Sequence, residues 1–241
     1  MNDSGIYYRR HLPHYQPEGE TYQVVFRLAG SIPADVFREF KQERERGEKR
    51  IVRSKDESQK ARMLQEYWWK HSEQFDKLLG NDTRGPFWLR KPEIAEIVDE
   101  AIRYRDKKEY NLIAHTVMPN HVHLVFGLSG EIPLGRDSVP SYEKLVRRVA
   151  DPTPCEMTAH ACYRVTEIIG SLKKYTALRA NLILGRRGAF WHDESYDHVI
   201  RDDMELERTI EYVLLNPVKA GLCKSWRDWR WSHVKDGYVG D

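Results

Sequence analysis

The sequence lacks several features that would define other classes of protein. No run of about 18 consecutive apolar residues occurs among its 241 residues, so we expect no membrane-spanning helix. The first 15 residues, MNDSGIYYRRHLPHY, lack the apolar segment of a signal peptide. There are only three cysteines, and their odd number and spacing favour neither a disulfide framework nor a cysteine metal site. We therefore expect a globular protein of the cytoplasm.

Acidic residues are absent from one segment, residues 168–192. The net charge of +2 does not indicate a class of partner, but the positions of the charged residues along the chain are more informative. The basic residues of this segment are Lys173, Lys174, Arg179, Arg186 and Arg187. A stripe of this kind can follow a phosphate backbone. A solvated helix face explains it equally well at this point.

The hydrophobic patterns predict a small set of strands and helices. Alternation predicts strands at about 22–28, 110–118 and 121–127, the last two joined by a tight turn at Pro119-Asn120. Apolar residues at helical spacing predict helices that open at Lys91-Pro92, span about 165–184, and begin near Asp203, with an interruption at Asn216-Pro217. This order predicts an α+β fold, a ferredoxin-like antiparallel sheet with helices packed on one face, plus extra N- and C-terminal helices. We expect a single domain over 1–241, with insertions at about 40–80 and 129–163.

Two histidines stand inside the apolar strand MPNHVHLVF. Because residues i and i+2 of a strand share a face, His121 and His123 project side by side. Two neutral imidazoles at this spacing can bind one divalent cation, with water or substrate oxygens completing its coordination. Ordinary hydrogen-bonded strand histidines are the alternative. A site of only two histidines is too open for structural zinc, so a Lewis-acid role is the better interpretation if a metal binds.

The sequence shows no Ser-His-Asp pattern and no cysteine nucleophile. The candidate nucleophile is Tyr175, which follows Lys173 and Lys174 on the basic helix. A phenol is a weak nucleophile at neutral pH and needs an activated target or a nearby cation. A metal-bound phosphodiester flanked by lysines supplies both, and attack would leave a 5′-phosphotyrosine and a free 3′-hydroxyl. Packing along an apolar helical stripe is the alternative role for Tyr175.

Taken together, the segments resemble the REP-associated tyrosine transposases, which are HUH single-tyrosine enzymes related to the smallest insertion-sequence transposases. His121-Val122-His123 fits the HUH signature, and KKYTALRAN supplies a tyrosine on a following helix. Four further blocks follow the order of the family: RRHLPHYQPEGETYQVVFRLAGSIP, AHTVMPNHVHLVFGL, FWHDESYDHVIRD and YVLLNPVKAGL.

The resemblance implies a metal-dependent endonuclease and strand transferase acting on single-stranded DNA hairpins of repetitive extragenic palindromes. Mg²⁺ or Mn²⁺ would be held by His121 and His123, and Tyr175 would attack the DNA. Relatives in the wider superfamily place a third polar ligand one turn beyond the tyrosine, where this chain has Arg179. The third ligand therefore stays open between Asn181 and Asp193.

The resemblance also bears on partners and on an alternative function. Arg9 and Arg10 join the basic segment as candidate DNA contacts. We expect a bacterial, nucleoid-associated monomer without membrane contact, and a dimer with exchanged helices is the alternative state. The alternative function is a domesticated, hairpin-binding regulator that no longer cuts DNA.

Overall fold

A computed structural model describes residues 6–9, 13–16, 20–52, 57–81, 85–128 and 164–238. The predicted insertion at 129–163 and Arg10 lie outside these residues, as does the side chain of Arg9. The chain forms two compact units. The sheet unit contains the described residues up to 29, with 87–128 and 164–238, and the helical unit contains those between 30 and 86.

The sheet unit is built on a five-stranded antiparallel sheet. Its strands are β3 (Thr21–Leu28), β4 (Asn111–Val117), β5 (His121–Gly127), β6 (Trp191–Ile200) and β7 (Ser232–Val234). They lie in the order β6-β3-β5-β4-β7, with β5 at the centre. Two short strands, β1 (Ile6–Arg9) and β2 (Pro13–Gln16), pair separately. The predicted strands at 22–28, 110–118 and 121–127 are confirmed.

The two faces of the sheet carry different residues because side chains alternate along each strand. Val122 and Leu124 of β5 point to one face, the core face, and are completely buried in the main hydrophobic core. Helices α3 (Pro92–Arg105) and α4 (Arg164–Ile183) cover this face, and α4 contributes the fully buried Leu172. His121 and His123 point to the opposite face, the histidine face. The predicted α+β architecture with an antiparallel sheet is confirmed. Helices α3 and α4 pack on one face as predicted, but the described helices are not confined to that face.

The extra C-terminal helix, α5 (Asp203–Lys219), packs on β4, β5 and β7. It lies on the histidine face, since the ring of Tyr212 contacts the ring of His123 edge to face. The predicted interruption at Asn216-Pro217 is wrong, because the helix runs on to Lys219. Pro217 has no N–H, so the Val213 carbonyl loses its usual helical donor while the remaining turns close normally.

The helical unit is a pair of helices, α1 (Ala34–Val52) and α2 (Glu57–Asn81), and it includes the insertion predicted at about 40–80. Phe40 stacks on Phe75 with ring centroids 5.5 Å apart. The helices approach closely at Gly47, where the Tyr67 hydroxyl donates to the backbone oxygens of Glu43 and Arg44. Among the described residues of the chain, no helix is both long and apolar enough to cross a membrane.

A Gly47→Ala substitution is expected to destabilise the helical unit by about 1–3 kcal/mol, because its Cβ would overlap the Tyr67 ring. Urea denaturation would measure the loss. Gly80→Ala is the matched control, since a Cβ there meets no atom within 4 Å and alanine favours the helix. Equal midpoints for the two variants would contradict the close contact.

Candidate functional site

The central strand brings the two histidines into direct contact. The Nε2 atoms of His121 and His123 are 3.0 Å apart, and both side chains are buried. The Nδ1 atom of His121 lies 2.7 Å from Oδ1 of Asn120. An amide oxygen only accepts, so Nδ1 of His121 donates and Nε2 keeps its lone pair. Asn120 thus fixes the tautomer in which His121 can bind a cation through Nε2.

Burial and the neighbouring His123 both favour the neutral form of His121. Burial lowers its pKa well below the ordinary value of 6.5, and the neighbouring His123 lowers it further. A neutral imidazole is the form that binds metals. The donor set therefore fits a divalent cation. The Nε2 atoms of His121 and His123 point toward one place, and Asn120 sets the tautomer of His121. Coordination positions remain for oxygen ligands.

A third histidine on the neighbouring strand shows what an ordinary buried histidine looks like in this fold. His115 lies next to β5 on β4, and its Nε2 is 2.7 Å from Oδ1 of Asp99 on α3. Arg103 in turn donates to the other oxygen of Asp99. His115, Asp99 and Arg103 thus form one hydrogen-bonded network between β4 and α3. The two histidines of β5 instead face each other.

Helix α5 adds two polar residues to the histidine face. The Tyr212 and His123 ring centroids are 5.9 Å apart at an interplanar angle of 84°. Asn216 is buried and lies four residues further on, which is one helical turn on the same side of α5. The sequence interpretation did not single out Tyr212 and assigned Asn216 only to a helix interruption. The spacing Tyr-x-x-x-Asn in YVLLNPV was the available signal, because it meets the expected tyrosine-plus-one-turn pattern that fails at Arg179.

Tyr175 is not brought to the histidine pair. It lies on α4, which covers the core face, and its side chain is 48% exposed. Its ring is 5.9 Å from the guanidinium carbon of Arg105 on α3. The sheet therefore stands between Tyr175 and the two histidines. Its predicted catalytic role has no support from this geometry.

The two candidates for a third ligand have other surroundings. The Asn181 amide donates to the Gly188 carbonyl and accepts from Arg186, so both of its polar atoms hold the loop after α4. Asp193 is exposed at the start of β6. Neither residue lies on α5, the helix whose Tyr212 ring contacts the histidine pair. Which residue completes a metal site stays a prediction.

The predicted DNA-binding residues of the 168–192 segment separate into two groups. The Lys173 ammonium donates to the His192 carbonyl and to Ser195 Oγ, and burial lowers its pKa to about 8. Arg186 stacks on Trp88, with its guanidinium carbon 4.1 Å from a ring centroid. Lys173 thus joins α4 to β6, and Arg186 joins the loop after α4 to Trp88. Lys174, Arg179 and Arg187 are exposed.

A buried carboxylate fixes the start of α5. Glu205 Oε1 accepts from Nε2 of His198 on β6 at 3.0 Å, and Oε2 accepts from the Arg201 backbone N–H at 2.8 Å. Asp202 caps the helix by accepting from the Glu205 N–H. Burial alone raises the pKa of Glu205, but the hydrogen bond and charge of His198 and the charge of Arg201 outweigh it, so the net pKa is lowered. This network orients α5, and with it Tyr212, on the sheet.

Because the pKa of Glu205 is lower in the folded state, its contribution to stability is complete above the ordinary value of 4.5 and is lost as pH falls below it. We expect Glu205→Gln to lose about 1–3 kcal/mol of unfolding free energy at pH 7. The difference from the parent protein should shrink as pH falls toward the lowered pKa. Urea denaturation at a series of pH values measures this, with the exposed Glu207→Gln as control. A pH-independent difference would contradict the assignment.

Comparison with known proteins gives two relatives and one solved structure. No family model matches the chain. Two curated relatives carry the name REP-associated tyrosine transposase. The Haemophilus influenzae protein is 25% identical over 124 residues, covering 51% of this chain and 58% of the relative. The Escherichia coli protein is 23% identical over 131 residues, covering 54% of this chain and 58% of the relative.

The chain thus spans somewhat over half the length of the relatives that it matches. A solved REP-associated tyrosine transposase bound to a REP hairpin aligns with a TM-score of 0.42 and 15% identity, over 93% of this chain and 80% of that chain. The two relatives confirm the resemblance that the sequence blocks indicate.

Proposed function

We propose that this protein is a metal-dependent endonuclease and strand transferase that acts on single-stranded DNA beside palindromic hairpins. The cut would proceed through a 5′-phosphotyrosine. We further propose that Tyr212, rather than Tyr175, is the nucleophile. The single observation that supports this is the contact between the Tyr212 ring and the ring of His123 in the histidine pair.

The chemistry requires a phenol, a polarised phosphodiester and a leaving group. In the proposed step the Tyr212 hydroxyl oxygen attacks phosphorus and loses its proton to solvent. A tyrosine–phosphorus bond forms, the bond from phosphorus to the 3′ oxygen breaks, and that oxygen takes up a proton as the free 3′-hydroxyl. Reversal by another 3′-hydroxyl would rejoin the strand, since the phosphotyrosine conserves the diester linkage.

His121, His123 and Asn216 are the residues that would hold Mg²⁺ or Mn²⁺ in this proposal. Bound there, the cation would supply Lewis-acid polarisation of a phosphoryl oxygen. Two imidazoles and one amide oxygen leave further positions for phosphate and water oxygens. Asn120 keeps His121 in the productive tautomer, and the Glu205–His198 network keeps α5 in place. These roles belong to the chain itself and can be tested one residue at a time.

Lys219 contributes a charge on the same helix. Its ammonium lies 5.0 Å from the centroid of the Tyr212 ring. A cation beside the nucleophile offsets the negative charge that a phosphodiester brings to the phenol. Lys219 is therefore proposed to position the scissile phosphate.

Tyr212→Phe is expected to abolish the covalent protein–DNA adduct, because phenylalanine keeps the ring contact with His123 and removes only the attacking oxygen. Labelled single-stranded DNA carrying palindromic repeats, incubated with Mn²⁺ and run on a denaturing gel, would reveal the adduct. Tyr175→Phe is the matched control and should retain it. Peptide mapping of the adduct identifies the modified tyrosine directly.

An adduct on Tyr175 would restore the nucleophile predicted from the sequence and overturn the choice of Tyr212. Hairpin binding without any adduct, in Mg²⁺ or Mn²⁺, would instead identify the non-cutting regulator. Fluorescence anisotropy measures hairpin binding independently of the gel, so loss of cleavage can be told apart from loss of DNA binding.

Metal binding can be tested without DNA. We expect Asn120→Ala to weaken Mn²⁺ affinity by about 10–100-fold, since the tautomer of His121 is no longer fixed. Calorimetric or electron-paramagnetic titration with Mn²⁺ alone would measure it. His123→Ala should remove the site altogether, and unchanged Mn²⁺ affinity in His123→Ala would rule out the histidine pair as the metal site.

A further inference from the structure

The exposed apolar side chains of the described residues concentrate on one surface. Five of the seven large hydrophobic residues that are exposed lie on α4 or at the end of α3. Those five are Tyr104, Tyr175, Leu178, Leu182 and Ile183. Leu178 is 64% exposed and Leu182 is 71% exposed, so they cost hydration free energy in the isolated chain. A concentration of this kind typically marks an interaction surface.

The spacing along α4 turns these residues into a continuous ridge. Tyr175, Leu178 and Leu182 follow one another at three- and four-residue steps and therefore line one side of the helix. The exposed cations Lys174 and Arg179 flank them, in a segment that has no acidic residue from 168 to 192. We name Lys174, Tyr175, Leu178, Arg179 and Leu182 the α4 ridge.

The end of α3 extends the surface with an aromatic ring and a cation. Arg105 joins the two helices, since its guanidinium donates to Ser171 Oγ at 3.1 Å and lies near the Tyr175 ring. The next residue toward the N-terminus, Tyr104, is 68% exposed, and the Lys108 ammonium lies 3.2 Å from its ring centroid. Arg105 is buried and paired with Glu109, so the Tyr104 ring and the Lys108 ammonium are what the end of α3 adds to the surface.

We propose that the α4 ridge is a second binding surface for single-stranded DNA, separate from the histidine face. Unstacked bases would contact the ring of Tyr175 and the side chains of Leu178 and Leu182, and Lys174 and Arg179 would neutralise phosphates. Aromatic and apolar platforms between cations are the usual means of binding single strands without sequence selection. The identity of the polymer rests on the proposed function. The evidence for a binding surface at this place is the exposure of its apolar side chains and the positive charge beside them.

The location gives the ridge a role distinct from cleavage. Helix α4 covers the core face, so the sheet separates the ridge from His121 and His123. A strand held on the ridge would be a part of the DNA other than the segment being cut. Excess positive charge disfavours a second copy as the occupant, because like charges would face each other across that contact.

The test measures binding without catalysis. A fluorescent single strand of about 40 nucleotides, long enough to extend past the cut site, is titrated in EDTA with the full chain. Leu178→Ser with Leu182→Ser should weaken binding about tenfold or more, with an unchanged salt dependence. Lys174→Ala with Arg179→Ala should weaken binding and reduce the salt slope by about 1.4. Lys224→Ala with Arg227→Ala, two exposed cations outside the ridge, is the matched control and should change neither.

Cleavage of a short oligonucleotide that spans only the cut site separates the two proposals. Wild-type rates on this short substrate, with weakened binding of the long strand, support the ridge as a second surface. Ridge variants that bind the long strand like wild type overturn the ridge while leaving the proposed function standing. Wild-type protein that neither binds nor cuts single strands removes the proposed function itself.

Two other occupants would be revealed by the same leucine variant. If the wild type is a dimer and Leu178→Ser with Leu182→Ser is a monomer, the ridge is a contact between copies and the proposal is overturned. If the wild type sediments with vesicles of anionic phospholipid, and the variant does not, while DNA binding is equal in both, the ridge is a membrane contact and the proposal is again overturned.

Discussion

The two-residue repeat of the central strand is the constraint on which the rest of this structure depends. It sends Val122 and Leu124 into the hydrophobic core and His121 and His123 to the other side. A one-residue shift of β5 would turn both imidazoles toward α3 and α4 and remove Val122 and Leu124 from the main core. The pairing on both sides of β5, with β3 and β4, prevents that shift. The sheet can therefore hold two histidines together without losing its core.

The histidine face carries polar groups that a plain core would exclude. Burying imidazoles and carboxylates costs free energy unless hydrogen bonds compensate. Asn120 compensates His121, and His198 with the Arg201 backbone compensates Glu205. Departures from an apolar interior of this kind are characteristic of functional sites rather than of stability. The core face shows the contrast, since its buried histidine, His115, is paired with Asp99.

The two helices that follow β5 have different places relative to this site. Helix α4 is the second helix of the ferredoxin-like arrangement and has to lie on the core face, because its buried stripe completes the main core. Helix α5 follows the last ferredoxin-like strand, β6, and returns over the opposite face. A tyrosine on the first helix is therefore separated from the histidines by the sheet, and a tyrosine on the second is in contact with them. The basic and apolar surface of α4 is then free for a different role.

The sequence by itself determined the three strands β3, β4 and β5, the existence of helices α3 to α5, and the shared face of His121 and His123, because these depend on local periodicity. The tight turn at Pro119-Asn120 also predicted that β4 and β5 form a hairpin, and they pair antiparallel. It could not determine which tyrosine meets the histidines. Tyr175 and Tyr212 both lie on amphipathic helices, and an amphipathic pattern shows that a helix has a buried side without showing which face of the sheet receives it. Only the tertiary structure decided that, since chain direction, the Glu205 network and closure of the core together place α4 on one face and α5 on the other.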